Sequence, residues 1–254
     1  MSRRRFYARA EAFTSDPPMV TLATEEARHL REVLRLGPGE EVFVLDGAGR
    51  EFQCLIEESR RDSARLRIVA EVSPARPESP LDLTLALALL KGEKFDLVVQ
   101  KATELGVARI LPVVTQRADV RLRDDSDAGK RVARWQRIAL EAAKQSGRAR
   151  VPRVDAPVTF SSLIKKSAEG SNARLLMFSE RDGESLNAAC GKLPQTQSPV
   201  VALVGSEGGW IDEEIAEARS TGWAIVTFGG RVLRAETAAI SVAVLLQHLL
   251  GDLN

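Results

Sequence analysis

The sequence predicts two folded parts: a small β-rich domain, read as a barrel, over residues 1–72, and an α/β domain with a mostly parallel sheet over residues 81–254. Three observations predict them. Short alternating or apolar runs between turn signals fill the first part. Three prolines fall within the eight residues Ser73–Pro80, with no periodicity, which reads as a linker. Beyond it, apolar runs alternate with stretches of helical periodicity, the pattern of strand–helix–strand units.

Each element has its own signal. In the first part Glu41–Leu45, Phe52–Ile56 and Arg65–Val69 read as strands, with Leu36–Gly39 and Asp46–Gly49 as the turns. A helix near Thr24–Leu34 interrupts them, with Thr24 as its N-cap. In the second part Leu81–Leu90 reads as a buried strand. Glu93–Gly106 reads as a helix, because Phe95, Val98, Val99, Ala102 and Leu105 share one face and Gly106 suits the C-cap. Arg109–Val114 is the next strand, and Asp127–Ser146 a long helix. Further strands are expected at Arg174–Ser179, Pro199–Gly205 and Trp223–Phe228, and helices at Asp212–Thr221 and Ala235–Leu250.

Composition narrows the function classes. Of 254 residues, 44% are hydrophobic, ordinary for a globular chain. Cys54 and Cys190 make no disulfide framework and no Cys-x-x-Cys pair, so they read as reduced thiols of a cytoplasmic protein. Met1–Thr14 is basic with no apolar run behind it, so no signal peptide is expected. The apolar run Leu81–Leu90 contains Asp82 and is too short to span a bilayer, so no membrane partner is expected. With His29 and His248 the only histidines, no metal site is expected, and a histidine-based triad has little material.

Net charge is only +1, yet the distribution is uneven. From Thr115 to Arg153 there are eleven Lys or Arg against five Asp or Glu, with Trp135 among them. Arg3, Arg4 and Arg5 form a second basic cluster. Such clustering fits a protein that meets a polyanion on one face. A solvated helix face is the alternative reading of the same charges.

Two loops carry the chemical signal. Val200–Asp212 is an apolar strand, a glycine-rich turn and a helix start with Asp212 at its N-cap. Gly205-Ser-Glu-Gly-Gly209 is not the dinucleotide spacing, and the next strand holds no acid for a ribose. Glu207 inside the loop repels phosphate, so a ligand without phosphate, such as S-adenosylmethionine, suits it better. The second loop, Phe228–Ala238, places Arg231, Arg234, Glu236 and Thr237 between an apolar run and an apolar helix. Such groups are costly there unless paired or bound to something. An Arg–Glu salt bridge is the plain alternative.

The pair Gly205–Gly209 and Arg231–Ala238 resembles the signature of the bacterial small-subunit ribosomal RNA uracil-N3-methyltransferases, of the SPOUT superfamily. Gly92-Glu-Lys-Phe95, Gln100–Gly106, Trp135–Ala139, Glu141–Arg148 and, near the N-terminus, His29–Arg35 extend the resemblance in order along nearly the whole chain. The resemblance implies a PUA-like RNA-binding β-barrel, then a SPOUT α/β methyltransferase domain with a C-terminal trefoil knot at about residues 200–250. It implies S-adenosyl-L-methionine held by Leu203, Val204, Gly205, Glu207, Gly208, Gly209, Phe228, Gly229, Leu233, Thr237 and Ala238. It also implies a homodimer acting on a uridine of 16S ribosomal RNA within the small ribosomal subunit. Arg3, Arg4, Arg5, Arg31, Arg35, Arg117, Arg121 and Arg148 are the expected RNA contacts. Ser206 and Gly230 stand where the family commonly has proline, and Ala235 often corresponds to threonine.

The chemistry needs an activated nucleophile. Uracil N3 has a pKa of roughly 10, so deprotonation at pH 7 costs about 4 kcal/mol. Arg234 is the candidate for anion stabilisation and Glu236 for the base, or for orienting that arginine; Glu207 is the second candidate base. Val232 and Leu233 are expected to exclude water. A side chain at Gly205 or Gly229 is expected to block the site and spare the fold. A chain starting near Ser79 is expected to keep cofactor binding and lose most methylation. Two alternatives stay open: a SPOUT enzyme for another RNA position or a ribose 2′-hydroxyl, and a non-catalytic RNA-binding assembly factor.

Overall fold

The computed structural model describes residues 3–168, 172–191 and 198–253. Met1, Ser2 and Asn254, the ends of the two expected domains, lie outside the described residues. The chain divides into two compact units, one of residues 1–78 with 140–151, the other of residues 79–139 with 152–254.

The first unit holds β1 (Arg5–Tyr7), β2 (Phe13–Ser15), β3 (Pro18–Leu22), α1 (Thr24–Arg28), β4 (Glu41–Leu45), β5 (Glu51–Ser59) and β6 (Ala64–Val72). They form one six-stranded sheet in the order β1-β4-β5-β6-β3-β2. Only β1 and β4 pair in parallel. Alternation decides which side is inside: Val42 and Val44, then Phe52, Cys54 and Ile56, then Ala64 and Leu66 are all buried in one core with Leu30. Each large apolar side chain there contributes about 1.5–3 kcal/mol relative to exposure.

The expected helix at Thr24–Leu34 is shorter and less regular. Ala23 holds the N-cap position, and Thr24, the first helical residue, donates its hydroxyl to Asp62 O at 3.2 Å. After Arg28 the chain widens into a π-helical turn, His29–Val33, with Leu34 N bonded to His29 O at 3.0 Å. Arg35 then takes φ +55°, which ends the helix. The Ser73–Pro80 segment carries no strand or helix but is tied down. Ala75 N donates to Glu51 at 2.8 Å and Arg76 N to Gly147 O at 3.1 Å.

The second unit holds β7 (Leu83–Ala88), α2 (Lys94–Glu104), β8 (Arg109–Val114), β9 (Arg153–Val154), β10 (Val158–Thr159), α4 (Phe160–Ala168), β11 (Arg174–Phe178), α5 (Leu186–Gly191), β12 (Val200–Val204), α6 (Asp212–Ser220), β13 (Ala224–Val226) and α7 (Ala235–Leu250). The helix α3 (Asp125–Ser146) belongs to this unit up to Ala139 and to the first unit from Leu140. The seven strands pair in parallel, in the order β10-β8-β7-β12-β11-β13 with β9 also on β8. Strand β12 enters between β7 and β11, which precede it in the chain. No helix among the described residues is long and apolar enough to cross a membrane.

Asp212 is not the cap of α6. Ile211 holds that position, and Glu214 reaches back to accept Ile211 N at 3.2 Å while also accepting Gln116 N at 3.1 Å. Asp212, one residue on, pairs with Arg181 at 2.6 Å. The helix thus takes its cap from a carboxylate three residues inside it, which frees Asp212.

Candidate active site

The carboxyl ends of β11, β12 and β13 stand side by side, and a cleft of about 510 Å³ opens beyond them. This is where ligands sit on open parallel sheets. Phe178 and Ser179 line it from β11, Val204 to Trp210 from the loop after β12, and Thr227 to Ala235 from the loop after β13. The two glycine-rich loops of the sequence therefore face one cavity.

Each glycine has a different reason to be there. A Cβ on Gly205 would meet the buried indole of Trp210 at 3.0 Å. That indole is fixed, because its Nε1 donates to Phe178 O at 2.8 Å. A Cβ on Gly208 would meet Arg117 O at 2.9 Å; Ser206 Oγ also bonds that carbonyl, at 3.2 Å. Gly209 has φ +64° and faces Glu180. A Cβ on Gly229 meets nothing within 4 Å. The expectation that side chains at Gly205 and Gly229 act alike is thus corrected: the first strikes the core, the second projects into open space.

The carboxylates meet a lysine. Lys94 Nζ donates to Glu207 Oε1 at 2.8 Å and lies 3.9 Å from Glu236 Oε2. Burial pushes the Glu207 carboxyl up, but the Lys94 hydrogen bond and charge outweigh it and hold the group below the usual glutamate value. Glu236 Oε2 is buried with no hydrogen-bond partner. Arg234 is the N-cap of α7 and its side chain is exposed. The Arg–Glu salt bridge that the sequence allows does not join Arg234 to Glu236 among the described residues. Two expected cofactor contacts sit apart from the cleft wall: Leu203 is fully buried in the core beneath it and Thr237 is exposed on α7, while the candidate base Glu236 lies just beyond Ala235. Val204, Gly205, Glu207, Gly208, Gly209, Phe228, Gly229, Leu233 and Ala238 all line it. Val232 is 84% and Leu233 37% exposed, so within one chain they do not exclude water.

The arginines divide sharply. Arg5 is nearly buried, pairs with Glu51 at 3.0 Å and donates to the carbonyls of Ala143, Lys144 and Arg148. Arg148 is buried and bonds Glu78 at 2.8 and 3.0 Å. Both are corrected: a guanidinium already desolvated against a carboxylate has no face left for a phosphate. Arg3 pairs with Glu51 and Arg4 with Glu40, while Arg31 bonds Glu32 and Arg60 O. Arg35 and Arg121 are exposed, and Arg117 donates to Gly208 O at 3.2 Å. Trp135 is core: it donates to Asp96 at 3.0 Å and its ring lies 4.2 Å from Phe95.

Comparison with known proteins places this architecture. Residues 77–247 match the family model described as an RNA methyltransferase domain, and residues 22–69 match the RNA methyltransferase PUA domain. The ribosomal RNA small subunit methyltransferase E of Synechocystis is 37% identical over 86% of this chain and 69% of its own length. The chain belongs to the ribosomal RNA small subunit methyltransferase E family. Its Bacillus subtilis relative of that name is 29% identical over 94% of this chain and 93% of the relative. A crystal structure of the Neisseria gonorrhoeae family member, bound to S-adenosyl methionine, superposes with a TM-score of 0.87 at 34% identity, covering 100% of both chains.

Two residues beside the glycine loops were not among the sequence candidates. Lys94 lies inside Gly92–Phe95, a motif of the resemblance, but a lysine at a helix start gives no sign of the acids it meets. Glu180 lines the cleft opposite Gly209. It follows the apolar strand Arg174–Phe178 in the charged turn Glu180–Glu184, which carries no motif.

Proposed function

We propose that this member of the family transfers a methyl group from S-adenosylmethionine to N3 of a uridine in the RNA of the small ribosomal subunit. The observation that carries the reading is the carboxylate of Glu236. Its Oε2 is buried without a hydrogen-bond partner, one residue from the cleft wall and two from Arg234. The cleft suits the cofactor: its volume is that of a small-molecule site, two glycine loops bring backbone to its wall, and Glu207 disfavours phosphate.

When bound, the cofactor supplies a methyl on a sulfonium, and the electron pair of the broken carbon–sulfur bond stays on sulfur. The chain must supply the nucleophile. Glu236 takes the N3 proton as the new nitrogen–methyl bond forms, and Arg234 stabilises the negative charge spreading over O2 and O4. Glu207 is the weaker base, because Lys94 holds its carboxyl below the ordinary range.

The remaining expectations join this reading. The first unit docks RNA as a PUA-like module, the second carries catalysis with its C-terminal segment knotted, and two copies associate. Val244, Leu245 and Leu249 on α7 are 37–40% exposed and supply an apolar face for that contact. The protein works in the cytoplasm. Mass-spectrometric nucleoside analysis of ribosomal RNA from a strain lacking the protein tests the reaction. N3-methyluridine should vanish from the small-subunit RNA and return on complementation. A ribose-methylated nucleoside lost instead, or no loss, refutes it.

A further inference from the structure

Lys94 opens α2, and the chemistry above gives it no part beyond lowering the Glu207 carboxyl. Its ammonium is shared by two carboxylates from different loops, but unequally. Glu207 takes a direct hydrogen bond at 2.8 Å. Glu236, at 3.9 Å, receives the charge without a hydrogen bond, and its Oε2 has no other partner. A plain structural ion pair would satisfy both acids. Here one is hydrogen-bonded and the other is left wanting a proton donor, and a buried acceptor in that state is costly unless something completes it. An imide N–H is a group of the right kind.

We propose that Lys94 is a positioning residue for methyl transfer: it engages Glu207 by hydrogen bond and sets its charge beside Glu236 without bonding it, leaving Glu236 Oε2 open to accept the imide proton of the target base. The inference rests on Glu236 being the base. The Glu207 hydrogen bond raises the Lys94 pKa, so the lysine stays a cation and does not itself take the proton. Arg234, two residues before Glu236 at the start of α7, carries a second cation in the same loop. Arg234 then faces the developing anion while Lys94 faces the base.

The test uses the full chain with Lys94→Met, which keeps the apolar stem, and Lys94→Arg, which keeps the charge. The first readout needs no activity. In carboxyl ¹³C NMR, with the resonance assigned through Glu207→Gln, the Glu207 titration should move to higher pH in Lys94→Met, because losing a cation disfavours the ionised form. Lys94→Arg should bring it back. The second readout is the single-turnover rate against pH at saturating cofactor and RNA. Lys94→Met should be slower at neutral pH by about tenfold or more, with its acid limb at higher pH, and Lys94→Arg should recover most of the loss. Cofactor affinity in calorimetry should change less than about twofold. A Glu207 titration that stays in place in Lys94→Met overturns the arrangement. A wild-type rate profile in Lys94→Met, or a loss of rate with an unshifted profile, overturns the positioning role. If the wild-type chain yields a nucleoside other than N3-methyluridine, the proposed reaction fails, and the Glu207 titration still decides how Lys94 divides its charge.

Discussion

Glu236 and Arg234 lie two residues apart, one at the helix start and one in its first turn, and their roles separate by substitution. Glu236→Gln keeps size and removes the base; Arg234→Lys keeps charge and loses the planar fork. Each should lower the single-turnover rate by at least about tenfold, roughly 1.4 kcal/mol, with little change in cofactor affinity. If Glu236 is the base, its defect shrinks as pH rises toward the uracil value of about 10, where hydroxide takes over. A pH-independent defect means that it only orients Arg234, and a wild-type rate at pH 7 ends both versions. Gly229→Val should abolish most cofactor binding with an unchanged melting temperature, since its Cβ meets nothing within 4 Å. Gly205→Val should lose stability as well, because it presses on Trp210. Equal melting temperatures for these two variants would refute the distinction. Cys54 belongs to the same scale: burial pushes its thiol up to about 12, so a thiol reagent at pH 8 should reach it only after unfolding.

Elements show what patterning carries and what it does not. Strands β4 and β8 and helix α7 have the bounds that patterning gives, since each keeps one apolar pattern from end to end. Helix α4 has no such signal: Phe160, Leu163 and Ile164 face the core, but the segment is short and rich in serine and lysine. The two glycine loops were legible as ligand loops because strand, glycines and helix follow in order. The Lys94 contact was not, since it joins residues 113 positions apart, and only the fold sets such pairs. Helix α7 carries a prediction of its own. Ala239, Val242, Ala243 and Leu246 are buried within the chain, yet Val244, Leu245 and Leu249 lie on another side and are partly exposed. An apolar residue on both faces is expected of a helix with two partners. Light scattering should give a dimer at micromolar concentration, and Leu245→Glu should shift it toward monomer. A wild-type monomer removes α7 from that role.

At the scale of the whole molecule, sequence charge misleads in a particular way. Among the described residues, five of the eleven cations between Thr115 and Arg153 are in ion pairs: Arg131, Arg134, Lys144, Arg148 and Arg153. Counting charges along a chain cannot tell these from free ones. The unit boundaries add a second lesson. Residues 140–151 fold with residues 1–78, so a chain cut near Ser79 would leave Lys144 without Glu26 and bring most of the first unit's second segment into solvent. The role of the first unit is therefore better tested by point changes in the full chain. Arg35 is exposed and, among the described residues, no ion pair engages it, whereas Arg148 is buried against Glu78. Arg148→Ala leaves a carboxylate without its partner and should cost at least about 2 kcal/mol in urea unfolding. Arg35→Glu should leave stability within about 0.5 kcal/mol. Its effect should appear in RNA binding, as a weaker affinity and a salt dependence shallower by about one counterion, with cofactor affinity unchanged. If Arg35→Glu binds RNA as wild type does, with the same salt slope, Arg35 touches no phosphate, and the same test passes to the other exposed candidates, Arg4, Arg117 and Arg121.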